Sequence, residues 1–169
     1  INQGFQVEEV TLDQPVPENV DVLVLSDLKS SLTAEEFANY NAFVERGGNL
    51  IVLGEPKRQA YMNPLVEVLG LRFVDGILVA PSKQYLDDII AARITEGALN
   101  ASLYFNQLIR RGYTVITPSA CAVEVVDTTK GFKISEVLAT NPQGSWIEYE
   151  TTDFLNEKST INPKIGEVE

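Results

Sequence analysis

Three short stretches in this chain have residue types and positions suited to chemistry, and each follows an apolar run of strand length. Ser26-Asp27 follows residues 20–25, Gly54-Glu55-Pro56-Lys57 follows residues 49–53, and Pro118-Ser119 follows residues 113–117. Parallel α/β sheets bind ligands beyond the carboxyl ends of their strands. Asp27, Glu55, Lys57 and Ser119 are therefore the candidate ligand-binding residues. Asp27 and Glu55 fall on the same expected sheet edge, where a carboxylate pair can hold Mg²⁺ or Ca²⁺ or do acid–base work. The competing reading is that both are solvated loop acids, because 24 acids among 169 residues make such pairs easy to find.

Groups for covalent chemistry are sparse. The chain has no histidine, which removes the commonest general base and the commonest neutral metal ligand. Ser–His and Cys–His nucleophile pairs and His-containing zinc sites are excluded with it. The single cysteine, Cys121, cannot form an intrachain disulfide. It sits among small residues after a strand, but lacks the flanking glycines of a nucleophile elbow and is followed by the strand-like Val123-Glu124-Val125-Val126. It reads as a small buried apolar residue. Gly47-Gly48 lies between a helix and a strand, the wrong polarity for phosphate binding, and no dinucleotide fingerprint or P-loop is present. Tyr85, Trp146 and Tyr149 can be read as a sugar platform or as ordinary core and interface aromatics. No catalytic residue, cofactor or resident metal is assigned.

The elements that must position these residues follow from patterning. A hydrophobic content of 44% and a charged content of 22% are those of a globular domain, and one compact domain is expected over residues 1–150. Val20-Asp21-Val22-Leu23-Val24-Leu25 and Asn49-Leu50-Ile51-Val52-Leu53 read as strands buried on both faces. Between them Thr33-Ala34-Glu35-Glu36 offers a capping box for a helix with Phe37, Tyr40 and Val44 on one face, stopped at Gly47-Gly48. Strand, helix and strand in this order imply a right-handed parallel unit. The expected class is thus α/β, a mostly parallel sheet flanked by helices.

Outside that unit, residues 1–4 read as the tail of a helix ending at Gly4, and residues 5–12 as a short strand. Asn63-Pro64 reads as the start of a second helix running to Gly70. Further strands are expected at 71–80 (broken at Asp75-Gly76), 89–94, 113–117 and 121–126, with shorter ones at 133–139 and 146–149. A helix is expected over 98–111 with Gly112 as its stop. Residues 151–169 read as an extended, mobile segment.

The net charge of −11 leaves no basic footprint for nucleic acid and disfavours direct contact with an anionic membrane. No apolar run reaches the ~18 residues of a membrane span, and no signal peptide opens the chain.

The block from Val20 to Pro56 carries a more specific likeness. Its Asp21-Val22-Leu23-Val24 strand, Leu32-Thr33-Ala34-Glu35-Glu36 helix start and Gly47-Gly48-Asn49-Leu50-Ile51-Val52 strand resemble the soluble domain of auxiliary components of ABC-type transport systems of the gliding-motility type. Asn63-Pro64-Leu65, Leu69-Gly70-Leu71 and Ile165-Gly166-Glu167 are similar to later motifs of that family. The resemblance implies a flavodoxin-like or class I glutamine amidotransferase-like fold without the catalytic Cys–His pair. It further implies that this chain is incomplete at both ends, lacking a first strand upstream and a final strand downstream.

What the resemblance implies for function is a non-catalytic extracytoplasmic (periplasmic-side) domain of an inner-membrane protein. Flanking helices would hold it beside the permease and ATPase subunits of a transporter, where it recognises substrate or partner. Two other readings are a carbohydrate-binding or carbohydrate-processing domain with Asp27 and Glu55 as its acids, and a flavin or phospho-acceptor domain.

Overall fold

The computed structural model describes residues 4–26, 28–141, 143–150 and 154–155. The chain folds as a mixed α/β structure around the unit read from the Val20–Pro56 block. Strand β1 (Val22–Ser26) leads through helix α1 (Ala34–Glu45) to β2 (Asn49–Leu53), and β1 and β2 pair in parallel from Val22↔Asn49 to Ser26↔Leu53. The α1 start is the expected capping box. The Glu36 amide donates to Thr33 Oγ1 at 3.2 Å, and Glu36 Oε2 accepts from the Thr33 amide at 2.7 Å. At the other end Gly47 takes φ +84°, the left-handed conformation that glycine adopts without a Cβ clash.

Leu23 and Leu25 of β1 are buried against Tyr40 and Phe43 of α1 in the main core. Helix α2 (Gln59–Glu67) supplies Met62, Leu65 and Val66 to the same cluster. At about 1.5–3 kcal/mol for each large apolar side chain removed from water, this cluster is the principal source of stability. The Tyr40 hydroxyl donates to the Leu65 carbonyl at 2.6 Å and ties the helices together. Arg46 lies over the Phe43 ring at 4.9 Å and donates to the Val16 and Pro17 carbonyls, fastening the loop before β1.

Several expectations are corrected. Both helices pack on one side of the β1–β2 pair, so Val22, Val24, Ile51 and Leu53 on the other side remain about half exposed instead of buried. The sheet is not mostly parallel. Beyond β1–β2 every described ladder is antiparallel: β3 (Leu71–Phe73) with β7 (Val123–Val125), β4 (Ile77–Val79) with β9 (Trp146–Glu148), and β5 (Ile89–Ile94) between β6 (Thr114–Pro118) and β8 (Leu138–Ala139). The pairs form four small sheets, the largest of three strands in the order β6-β5-β8.

Residues 5–12 form no strand, and α2 begins four residues before Asn63. Asn63 does not cap a helix. Its amide bonds both ways with the Phe73 backbone, donating to the carbonyl at 3.1 Å and accepting from the amide at 2.8 Å. The expected helix over 98–111 divides into a 3₁₀ turn at Glu96–Asn100 and helix α3 (Phe105–Arg110), which ends at Gly112 as expected. The expectations for residues 1–3, 151–153 and 156–169 lie outside the described residues. Of the tail, Phe154 is buried with Ile77, Val79 and Trp146.

Candidate functional site

Residues 55–58 leave β2 in a tight turn closed by the Arg58 amide donating to the Glu55 carbonyl at 3.0 Å. Pro56 occupies the second position, and Lys57 the third with φ +67°. This is the pattern of a type II turn, whose third position favours glycine because an L side chain is strained there. Among described residues the only other non-glycine with positive φ is Ser119, at +46°. Strain held in this way gathers at functional sites, and both residues were singled out from their place after a strand.

The turn forms one wall of a cavity of about 200 Å³. Lys57 and Gln59 line it from the β2–α2 side, Asp75, Gly76 and Ile77 from the turn into β4, and Glu148 and Tyr149 from the end of β9 and just beyond it. Gln59 and Glu148 are buried, at 4% and 1% exposure, whereas Lys57 and Asp75 are exposed. The polar floor therefore carries a carboxylate and an amide, with opposite charges at the rim.

Each wall has a local cause. Gln59 and Asn63 are one helical turn apart on α2, so both side chains face the backbone at 73–74. The Gln59 Nε2 donates to the Val74 carbonyl at 3.2 Å, which orients the amide and turns its Oε1 away from that bond. No described residue donates to that Oε1. Gly76 has φ +93°, and a Cβ there would lie 2.6 Å from Ile147 Cγ2 and 2.8 Å from the Glu148 carbonyl. Only glycine lets the β3–β4 turn approach β9 this closely. Glu148 accepts from the Glu150 amide at 3.0 Å and, at 3.5 Å, from the Trp146 indole. Lys57 and Asp75 form no ion pair with each other or with any other described residue.

Of the four candidate ligand-binding residues, Lys57 is thus the one in the cavity wall. Glu55 is exposed in the same turn without lining the cavity. Asp27, and with it the expected pairing with Glu55, lies outside the described residues. Ser119 stands elsewhere, its hydroxyl donating to Asp88 Oδ2 at 2.6 Å and its amide to the Asp88 carbonyl at 2.9 Å. Cys121 is half-buried against the main core; burial first of all, and the Glu55 charge to a lesser degree, push its thiol up against an opposing backbone hydrogen bond. Of the three aromatics, Trp146 is buried and Tyr149 lines the cavity, while Tyr85 is absent from its wall. Gln59, Asp75 and Glu148 carried no signal as a group because they come from three distant segments. Glu148 alone gave a hint, as an acid inside the strand-like Trp146-Ile147-Glu148.

A second cavity of about 260 Å³ lies between α1 and α2 beside Phe37, Tyr61 and Leu65. Its one cap group, Thr33 Oγ1, is already engaged by Glu36. Among the described residues no cluster of acids and cysteine is arranged to hold a metal, and no helix is long and apolar enough to cross a membrane.

The chain is thus a mixed α/β domain with a small cavity where β2 ends. The family model described as "ABC-type uncharacterized transport system" matches residues 1–86, just over half of the chain. The chain belongs to this family and so stands among the auxiliary components of ABC-type transport systems. The matched region runs from β1 through β4 and carries Lys57, Gln59 and Asp75. A solved structure titled "mmIFT52 N-terminal domain" is similar in fold, with a TM-score of 0.52 at 16% identity over 79% of this chain. The chain spans 61% of that structure's length. No curated protein sequence matches.

Proposed function

We propose that this domain is a non-catalytic recognition module on the extracytoplasmic side of an ABC-type transporter, in contact with its permease and working with its ATPase. The observation that carries the recognition role is the cavity at the end of β2, where Lys57 and Asp75 face a common space without pairing. Charged groups left unneutralised around a concavity are available to a ligand or partner. The apolar face of β1 and β2, which no described helix covers, supports partner contact too. The gliding-motility kinship and the amidotransferase-like ancestry belong to this same proposal.

The test is in-cell crosslinking from a photoreactive side chain at exposed Glu55, with adducts identified by mass spectrometry. Permease peptides among the adducts are expected. In the same cells a Lys83→Cys variant is expected to react with a membrane-impermeant maleimide before lysis. Adducts lacking any transporter subunit, or labelling seen only after lysis, overturn the proposal.

A second reading, carbohydrate binding, is favoured by Tyr149 standing beside Asp75 and Glu148 in one cavity wall. An aromatic face with flanking carboxylates suits a sugar ring and its hydroxyls. Flat calorimetric titrations across simple sugars remove it.

A further inference from the structure

We propose that the cavity beside Lys57 binds a small zwitterion, a molecule with one primary ammonium and one carboxylate such as a free amino acid. The proposal names a ligand class for the recognition site above and rests on that reading. Its first support is the set of acceptors. Gln59 lines the cavity and is 96% buried, its amide oriented by the bond to Val74, and no described residue donates to its Oε1. An acceptor with no protein donor is free to take a ligand N–H. The Glu148 carboxylate at the floor and the Asp75 carboxylate at the rim border the same space. A primary ammonium has three N–H donors, which the Gln59 oxygen and the Asp75 carboxylate can accept.

The opposite end of the ligand follows from Lys57. Its turn anchors it at the rim, and no described carboxylate neutralises it. The Asp75 carboxylate repels a simple anion, while Lys57 opposes a simple cation. A dipolar ligand satisfies both ends, with its carboxylate toward Lys57 and its ammonium toward Gln59 and Asp75. The volume of about 200 Å³ is below the roughly 300–1,000 Å³ of sites for drug-sized ligands and limits the ligand to a small molecule.

The experiment is isothermal titration calorimetry of the whole chain with alanine, ethylamine, propionate and glucose as probes. Alanine is expected to bind about tenfold or more tightly than ethylamine or propionate. Asp75→Asn, a change at an exposed side chain, is expected to weaken alanine binding about tenfold. Lys57→Gly keeps the turn conformation and is expected to reduce alanine to the level of ethylamine, while Lys57→Arg restores part of the difference. Circular dichroism of each variant reports folding independently. Glucose binding as tightly as alanine overturns the zwitterion but leaves recognition at the cavity standing. If no probe binds while the Glu55 crosslinks to the permease persist, the zwitterion falls and the transporter reading holds. Loss of both defeats both.

Discussion

Gly76 shows how a single backbone position can hold a site open. Its left-handed φ and the 2.6 Å approach to Ile147 leave no room for a Cβ, so Gly76→Ala must either strain the turn or push β9 away. The expected cost is about 2 kcal/mol or more in urea denaturation, together with loss of whatever binds in the cavity. Tyr40 gives a prediction of another kind. Burial pushes its phenol up to about 12, from an ordinary value of 10.0. Above pH 10 the unfolded chain releases this proton while the folded chain keeps it, so the unfolded state binds fewer protons and stability falls with rising pH. The contribution is whole below pH 10 and lost as pH rises toward 12. Tyr40→Phe is expected to flatten that part of an alkaline denaturation curve, even though it also removes the bond to Leu65.

At the level of elements, what was legible in the sequence was what neighbouring residues decide. Thr33 and Glu36 satisfy each other's backbone within four residues, so the α1 start could be read directly. Thr33→Ala is expected to cost about 1 kcal/mol, measurable by thermal or urea unfolding. The ends of β5 and the stop at Gly112 were legible for the same reason. Partnership between strands was not. A β-branched run such as β1 looks alike whether one face or two is covered, because coverage depends on helices placed elsewhere in the chain. Leu25→Ala is expected to cost about 2–4 kcal/mol, whereas Val24→Ser one residue away should stay within about 0.5 kcal/mol. Equal costs would mean that the outer face of β1 is covered as well. The site was legible in proportion: Lys57 follows from its place after β2, whereas Gln59 had to wait for the true start of α2. Asp75 and Glu148 had to wait for the β4–β9 pairing.

Across the whole molecule, the two halves of the cavity wall have different origins. Lys57, Gln59 and Asp75 belong to the region matched by the family model, and Glu148 and Tyr149 lie beyond it. The family core therefore supplies the rim cation and one acid, and the later part of the chain closes the floor. The similar fold at 16% identity fits a scaffold whose architecture outlasts its particular side chains.

The β4–β9 ladder also dictates an order of events in time. The β1–α1–β2 unit closes a short loop, whereas Ile77 meets Glu148 only after nearly half of the chain has been gathered between them. Contacts that close long loops lose more chain entropy before they are rewarded, and they form late. Trp146, the single tryptophan, is buried in β9, the strand that carries Glu148 of the cavity wall. Its fluorescence is therefore a clock for the closing of the site, and in stopped-flow refolding it is expected to lag the far-ultraviolet signal of α1 and α2. A newly made chain would then pass through an interval in which its helices are in place and its binding site is not. During that interval the exposed β4 edge is open to the wrong strand, which makes the last ladder to form the first place where misassembly would begin.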